Sequence, residues 1–127
     1  MDAAAKKVLL VEDNPGDVRL LIEFLHENGK NEFSLEHVDT IKRALDYLEH
    51  NDCDLLLLDL SLPDGSGLET ARLLCGAAPH LPIIVLTGLE DDKLAIEAVQ
   101  AGAQDYLIKN EVNSSILIRS MNYAIER

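Results

Sequence analysis

Short apolar runs alternate along the chain with longer stretches in which apolar residues recur at every third or fourth position. A continuous apolar run predicts a buried strand, and the three-to-four spacing predicts a helix with one apolar face. Strand and helix alternate five times. The predicted strands are Val8–Val11, Phe33–Val38, Leu55–Leu58, Ile83–Leu86 and Tyr106–Ile108.

Capping residues indicate where the predicted helices begin and end. A side-chain oxygen at the cap accepts a hydrogen bond from a free backbone N–H, proline suits the first helical position, and glycine suits the residue after the last turn. Gly29 and Gly102 are predicted to end the first and fourth helices. The predicted starts are Asn14 with Pro15, Thr40, Ser66 or Gly67, Asp91 or Asp92, and Asn113 or Ser114.

Each predicted helix carries an apolar stripe that should face the interior. In chain order, the residues expected to face inward are Val18, Leu21, Ile22 and Leu25; Ile41, Ala44, Leu45 and Leu48; Leu68, Ala71, Leu74 and Cys75; Leu94, Ala95, Ala98 and Val99; and Leu117, Ile118, Met121 and Ile125.

Strands separated by helices cannot pair as hairpins, so they are expected to run parallel through right-handed crossovers. The first and third strands are unbroken apolar runs, as expected of strands buried on both faces. The predicted fold class is α/β: a three-layer, doubly wound (βα)5 sandwich with a parallel five-stranded sheet in the order 2-1-3-4-5.

The composition of the chain indicates its number of domains, the partners that it is not expected to bind and its cellular location. Its 127 residues suit one domain, predicted here to span residues 1–127. A net charge of −12 disfavours direct binding to nucleic acid or to anionic lipid. Two cysteines, Cys53 and Cys75, do not form a disulfide framework, and the apolar runs are too short to span a bilayer. We therefore expect a cytoplasmic protein with no membrane insertion.

Polar residues follow the predicted strands directly. Glu12 and Asp13 come after the first strand, Asp59 after the third, Thr87 after the fourth and Lys109 after the fifth. Because ligands bind beyond the carboxyl ends of parallel strands, we expect these side chains to form a site. Converging carboxylates either raise a pKa or recruit a cation, and a hard divalent ion such as Mg²⁺, which prefers oxygen ligands, is the simpler solution. The histidines lack the spacing of zinc ligands: His26, His37, His50 and His80.

Each acid has an alternative interpretation when it is considered alone. Asp13 could begin the loop before Pro15, and Asp59 could end its strand before a turn at residues 62–65. Considered together, the acids, the Thr87 hydroxyl and the Lys109 ammonium suit a phosphoryl group. Asp59 would then be the nucleophile.

Four sequence blocks resemble the receiver domain of two-component response regulators, and the resemblance covers essentially the whole chain. The order and separation of the blocks make this signal strong, whereas any one block alone would be weak. The blocks are Val11–Asn14, Leu57–Gly67, Val85–Gly88 and Gly102–Lys109. The resemblance implies a flavodoxin-like, CheY-like fold.

The resemblance also implies a role for each site residue. Asp59 would accept a phosphoryl group from a partner's phosphohistidine, with Mg²⁺ as the cofactor. Tyr106 matches an aromatic position that moves inward on activation and changes the surface of helix four, strand five and helix five. The remaining implied roles are Mg²⁺ binding by Glu12, Asp13, Asp59 and the Ser61 carbonyl, and contact with the phosphoryl oxygens by Thr87 and Lys109.

The implied partner is a histidine kinase or a histidine phosphotransfer protein. The last helix resembles those of receivers at the amino end of longer signalling proteins, so an effector domain beyond Arg127 is expected, and a phosphorylation-dependent homodimer stays open. The chain departs from the family at Asn110, where members usually carry a proline, commonly in a cis peptide. We therefore expect no cis bond there.

Three other functions compete with a signalling module whose only catalysis is phosphoryl acceptance and slow self-dephosphorylation. A phosphohydrolase with an aspartyl nucleophile usually places its acid two residues from the nucleophile after the first strand, a spacing that Glu12 and Asp13 lack. A nucleotide-binding protein would need a phosphate loop there, where acids repel phosphate. A receiver fold that binds partners without phosphorylation stays open.

Overall fold

The structure is a computed structural model that describes residues 5–28, 32–62, 65–88 and 92–126, with backbone alone at positions 61, 65–68 and 92. The predicted helix end at Gly29, the alternative helix start at Asp91 and the side chain of Leu68 lie outside the described part. So do Pro63 and Asp64 of the predicted turn.

Five parallel strands form one sheet in the order β2-β1-β3-β4-β5, which confirms the predicted topology. Each strand begins or ends within two residues of its prediction, and Asp59 and Thr87 are the last residues of their strands. The strands are β1 (Lys6–Val11), β2 (Phe33–Val38), β3 (Leu55–Asp59), β4 (Ile83–Thr87) and β5 (Asp105–Ile108).

Strand register aligns the carboxyl ends of the central strands. Val11 lies between Val38 of β2 and Leu58 of β3, and Asp59 lies beside Leu86 of β4. The ladder continues past the strand ends, since the Glu12 N–H donates to the Val38 carbonyl at 3.0 Å and the Leu60 N–H donates to the Leu86 carbonyl at 3.2 Å. The residues after β1 and β3 are therefore held at the same edge of the sheet.

In the described part of the chain, four helices connect the strands and a fifth follows β5. Three of the helices have the caps expected from the sequence. The Thr40 hydroxyl accepts from the Arg43 N–H at 3.1 Å, and Asn113 Oδ1 accepts from the Ile116 N–H at 2.8 Å. Asn14 Oδ1 accepts from the N–H groups of Gly16 and Asp17. The helices are α1 (Pro15–Asn28), α2 (Ile41–His50), α3 (Gly67–Ala77), α4 (Asp92–Gln100) and α5 (Ser114–Glu126).

Gly102 follows α4 with φ +125°, a backbone conformation that favours glycine. A Cβ atom at this position would also lie 3.1 Å from the Cys75 sulfur. Position 102 therefore suits glycine both in backbone conformation and in the space available, as expected of the residue that ends the helix.

The core consists of two apolar layers, one on each face of the sheet. On one face, β1, β3, β4 and β5 pack against α1 and α5 through Leu10, Leu57, Leu21 and Leu117 among others. On the other face, α2, α3 and α4 cover the sheet through residues such as Ile41, Leu74 and Ala98. The described helices and strands therefore form the predicted three layers.

Two residues predicted to face inward are exposed instead. Ile22 of α1 is 39% exposed and Val99 of α4 is 40% exposed. In α1 the buried arc is centred between Leu21 and Leu25, and Ile22 lies about a quarter turn away from it at 3.6 residues per turn. Val99 lies similarly far from the arc around Ala95 and Ala98. The apolar stripe of each of these two helices is therefore wider than the part of the helix surface that the neighbouring elements cover.

A short antiparallel ribbon of two two-residue strands, Ser61–Leu62 and Gly65–Ser66, follows β3 and was not predicted.

None of the described helices is long and apolar enough to cross a bilayer. Cys53 and Cys75 are both free thiols, and burial raises the pKa of each. The expected cytoplasmic location stays a prediction.

Candidate functional site

Three carboxylates meet at the carboxyl edge of the sheet. Glu12 follows β1 and is fully buried, Asp59 ends β3 and is 2% exposed, and Asp13 is exposed. Each has a carboxylate oxygen within 4.8 Å of the others. The predicted convergence of these acids is therefore present.

Strand alternation explains why Glu12 and Asp59 point in the same direction. Successive side chains of a strand point to opposite faces of the sheet. Leu10 and Leu57 face α1 and α5, and the next residues of the same parity are Glu12 and Asp59. The two acids therefore lie on the α1/α5 face, where the apolar layer ends.

Lys109 supplies the positive charge of the site. Its Nζ lies 2.8 Å from Glu12 Oε1, 2.9 Å from Asp17 Oδ2 and 3.3 Å from Asp59 Oδ1. Burial lowers the pKa of Lys109, but its contacts with Glu12, Asp17 and Asp59 outweigh burial and raise the pKa above its ordinary value. Lys109 is therefore a permanent cation in this arrangement.

Glu12 is the acid with the most perturbed ionisation. Desolvation by burial and the neighbouring Asp59 raise the pKa of Glu12 from 4.5 to about 7, while Lys109 acts in the opposite direction. Glu12 Oε2 accepts from the Asn14 N–H at 3.3 Å. Among the described residues Oε1 has the Lys109 ion pair but no partner with hydrogen-bond geometry. The site thus holds more negative charge than one lysine offsets.

Thr87 lies on the strand next to Asp59, one residue beyond the register partner Leu86. It is 4% exposed, and its hydroxyl has no hydrogen-bond partner within the described part of the chain. The Thr87 carbonyl accepts from the Lys109 N–H at 2.8 Å, which joins the ends of β4 and β5. Because this hydroxyl is buried at the edge of the sheet where the carboxylates meet, it is available to donate to a ligand there.

The chain matches the profile of the response regulator receiver domain over residues 8–120. It belongs to the receiver domain family of response regulators. The response regulator protein PilR of Pseudomonas aeruginosa is 35% identical over 104 residues, which cover 82% of this chain and 23% of PilR. The cell cycle transcriptional regulator CtrA of Caulobacter vibrioides is 33% identical over 103 residues, covering 81% and 43%.

Solved receiver structures share the fold along the whole receiver. A response regulator receiver domain protein from Clostridium thermocellum has a TM-score of 0.82 at 28% identity, covering 96% of this chain and 95% of its own. The BeF3-activated DrrB receiver domain has a TM-score of 0.80 at 28% identity, covering 97% and 99%. Among the curated relatives, this receiver spans only 21% to 48% of their length.

The remaining residues of the predicted site are Tyr106 and Ser61. Tyr106 is half-buried, pairs with Val85 in register, and packs on the face of the sheet that α2, α3 and α4 cover. Ser61 is two residues beyond Asp59, in the short ribbon. The peptide bond between Lys109 and Asn110 is trans.

Two contacts of the receiver site were not predicted from the sequence. His37 Nε2 lies 2.6 Å from the Glu12 carbonyl oxygen, and Asp17 binds Lys109. His37 is on the edge strand β2 and 25 residues from Glu12, so only the register of β1 and β2 could indicate the contact. Asp17 was visible as an acid in the first turn of α1, a position that usually reflects the helix dipole.

A second group of metal-ligating side chains lies on the exposed end of α2, where Asp46, Glu49 and His50 approach one another. All three are exposed, and His50 Nδ1 already lies 3.0 Å from the Asp46 carbonyl oxygen. Exposed acidic groups of this kind are common without an ion. The buried cluster at the sheet edge is therefore the stronger site.

Proposed function

We propose that Asp59 is the phosphoacceptor of this receiver in a two-component phosphorelay. The observation that carries the proposal is the setting of its buried carboxylate, which has two further carboxylates within 4.8 Å and the Lys109 ammonium at 3.3 Å. Acids on one side and a donor on the other suit the attack of a carboxylate on a phosphoryl group.

Mg²⁺ fits this residue set by its chemistry. Three carboxylates offer hard oxygen ligands, and the raised pKa of Glu12 reflects a shortage of positive charge that a divalent cation would offset. Glu12, Asp13 and Asp59, with the Ser61 carbonyl, would hold the ion. When bound, Mg²⁺ supplies positive charge to the acids and to the oxygens of the incoming phosphoryl group.

The protein's own residues would carry the transfer. A carboxylate oxygen of Asp59 attacks phosphorus, the bond from phosphorus to the donor's nitrogen or oxygen breaks, and its electron pair leaves with the donor. Lys109 donates an N–H to the phosphoryl oxygens. The Thr87 hydroxyl, buried and without a partner in the described structure, donates a second hydrogen bond.

Phosphorylation would act on the rest of the receiver through Thr87 and Tyr106. About two negative charges on Asp59 attract the Thr87 hydroxyl, and Tyr106, two positions along on the adjacent strand, rotates into the space that opens. The affected surface is that of α4, β5 and α5. It already exposes apolar side chains, with Ile96 53% and Tyr123 62% exposed.

The proposal extends to the context of the receiver. Residues 1–127 form one receiver domain that accepts its phosphoryl group from a histidine kinase or a histidine phosphotransfer protein. Its own catalysis is limited to phosphoryl acceptance and slow self-dephosphorylation. An effector domain beyond Arg127 is the expected output, because the relatives that the chain matches are longer regulators. A phosphorylation-dependent homodimer is a second candidate output.

Incubation with Mg²⁺ and acetyl phosphate, followed by intact mass spectrometry, tests the proposal. We expect one acid-labile phosphoryl adduct in the wild type and none in Asp59→Asn or in the presence of a chelator. Asp52→Asn is the matched control, because Asp52 is an exposed acid in the loop before the same strand.

Loss of the adduct in Asp52→Asn as well, or an adduct that persists in Asp59→Asn, would contradict the assignment. Sustained turnover of a phosphate ester would instead identify a phosphohydrolase. An unmodified wild type that keeps its fold would favour a receiver that acts without phosphorylation.

A further inference from the structure

The Lys109 ammonium is hydrogen-bonded to a carboxylate that lies outside the cation cluster. Asp17 Oδ2 accepts from Nζ at 2.9 Å, across 92 residues of sequence. The cation cluster at the sheet edge consists of Glu12, Asp13 and Asp59. Asp17 is held in the first turn of α1, where its N–H donates to Asn14 Oδ1 at 3.2 Å.

The geometry at Nζ favours Asp17 over the phosphoacceptor. An ammonium group has three N–H donors, and three carboxylates surround this one at 2.8, 2.9 and 3.3 Å. The Asp17 contact has hydrogen-bond geometry, whereas the contact with Asp59 is the longest of the three. Lys109 therefore contacts both acids but makes the closer contact, with hydrogen-bond geometry, to Asp17.

A phosphoryl group on Asp59 would need at least one of these donors, because it adds about two negative charges and several acceptor oxygens. Loss of the contact with Lys109 would destabilise the three carboxylates to different extents, because they differ in their access to water. The side chains of Glu12 and Asp59 are 0% and 3% exposed, whereas that of Asp17 is 34% exposed. Water can hydrate Asp17 in place of the lysine far better than the other two.

We propose that Asp17 is a positioning residue that competes with Asp59 for the Lys109 ammonium in the unphosphorylated receiver and gives up its hydrogen bond when a phosphoryl group binds. This inference rests on the proposed function, because it assigns Asp17 a competing role at the same site. Asp17 thereby lowers the affinity of the site for a phosphoryl group. Loss of the contact between Asp17 and Lys109 also removes a hydrogen bond between α1 and the end of β5.

Beryllofluoride, a non-transferable mimic of a phosphoryl group on a carboxylate, tests the inference by calorimetric titration at saturating Mg²⁺. We expect Asp17→Asn to bind beryllofluoride about threefold more tightly than the wild type, the size expected for a partly exposed ion pair. Asp17→Glu, which keeps the charge, is expected to bind like the wild type. Asp39→Asn is the control, because Asp39 pairs with Arg43 on the surface at 2.9 Å.

The NMR chemical shift of Lys109 Nζ distinguishes this role of Asp17 from a merely structural one, which would not produce the following pattern. Without beryllofluoride the shift is expected to differ between the wild type and Asp17→Asn. With beryllofluoride bound, the two shifts are expected to coincide, because the contact has been released. Equal or weaker binding by Asp17→Asn, or a difference in shift that persists in the complex, would overturn the inference. A wild type that does not bind beryllofluoride would overturn the proposed function as well.

Discussion

Side chains in the middle of the central strands and side chains at the carboxyl ends of these strands are equally buried. They differ in whether their surroundings suit them: the first are apolar among apolar neighbours, and the second include polar groups whose charge or hydrogen bonding the described residues satisfy only in part. Leu9, Leu57 and Ile84 are fully buried among apolar neighbours, where burial itself stabilises the fold. At the strand ends, burial raises the pKa of Glu12 and leaves the Thr87 hydroxyl without a partner in the described structure. The same burial therefore stabilises one region and destabilises the other, as expected where a ligand completes the site.

The largest expected effect is in the strand interior. Leu57→Ala removes a fully buried side chain between β1 and β4 and leaves a cavity, so the free energy of unfolding should fall by about 3 kcal/mol. Denaturant titration measures the change. Leu20→Ala, at a residue that is 40% exposed, is the control and should change stability by less than about 0.5 kcal/mol. Similar losses in both variants would contradict the comparison.

A substitution at the strand end, Glu12→Gln, should raise the stability of the fold, whereas Leu57→Ala in the strand interior lowers it. Its pKa is about 7 in the folded protein against an ordinary value of 4.5, so the folded protein binds a proton more tightly than the unfolded chain between these values. The destabilisation by Glu12 therefore grows as the pH rises from 4.5 to about 7. In Mg²⁺-free buffer, Glu12→Gln should be more stable than the wild type by about 2 kcal/mol at pH 8.

The same comparison at pH 4 should show almost no difference, because Glu12 is then protonated in both the folded and the unfolded states. Glu23→Gln, at an exposed acid on α1, is the control and should leave the stability unchanged at either pH. A Glu12→Gln variant that is less stable than the wild type at pH 8 would show that Glu12 stabilises the fold without a cation.

The smallest effect is expected at two threonines. Thr87→Val removes a buried hydroxyl without a partner among the described residues and should raise stability by about 1 kcal/mol. Thr40→Val removes a hydroxyl that caps α2 and should lower stability by about 1 kcal/mol. Thermal unfolding without Mg²⁺ gives both values. Equal signs for the two substitutions would mean that the Thr87 hydroxyl has a partner in solution.

Most of the fold was predictable because its signals are local. The apolar runs and the caps at Asn14, Thr40 and Asn113 depend on neighbouring residues, and parallel connection then determines which strand ends meet. Convergence of Glu12, Asp13 and Asp59 followed from that topology. The resemblance to receivers added the roles of these residues, which remain proposals.

The unpredicted features depend on tertiary placement. The exposure of Ile22 and Val99 is set by how each helix is rotated against its neighbours, and periodicity alone does not specify that rotation. The Asp17 contact with Lys109 joins residues 92 apart, and the His37 contact depends on strand register. Long, flexible side chains such as that of Lys109 select partners only after the backbone has brought them within reach.

Identification of the modified residue tests the central claim most directly. After phosphorylation with acetyl phosphate and Mg²⁺, borohydride reduction converts an aspartyl phosphate to homoserine, which peptide mass spectrometry locates in the sequence. We predict homoserine at position 59 alone. Homoserine at Asp13, at Asp17 or at several acids instead would contradict the assignment of Asp59 as the phosphoacceptor.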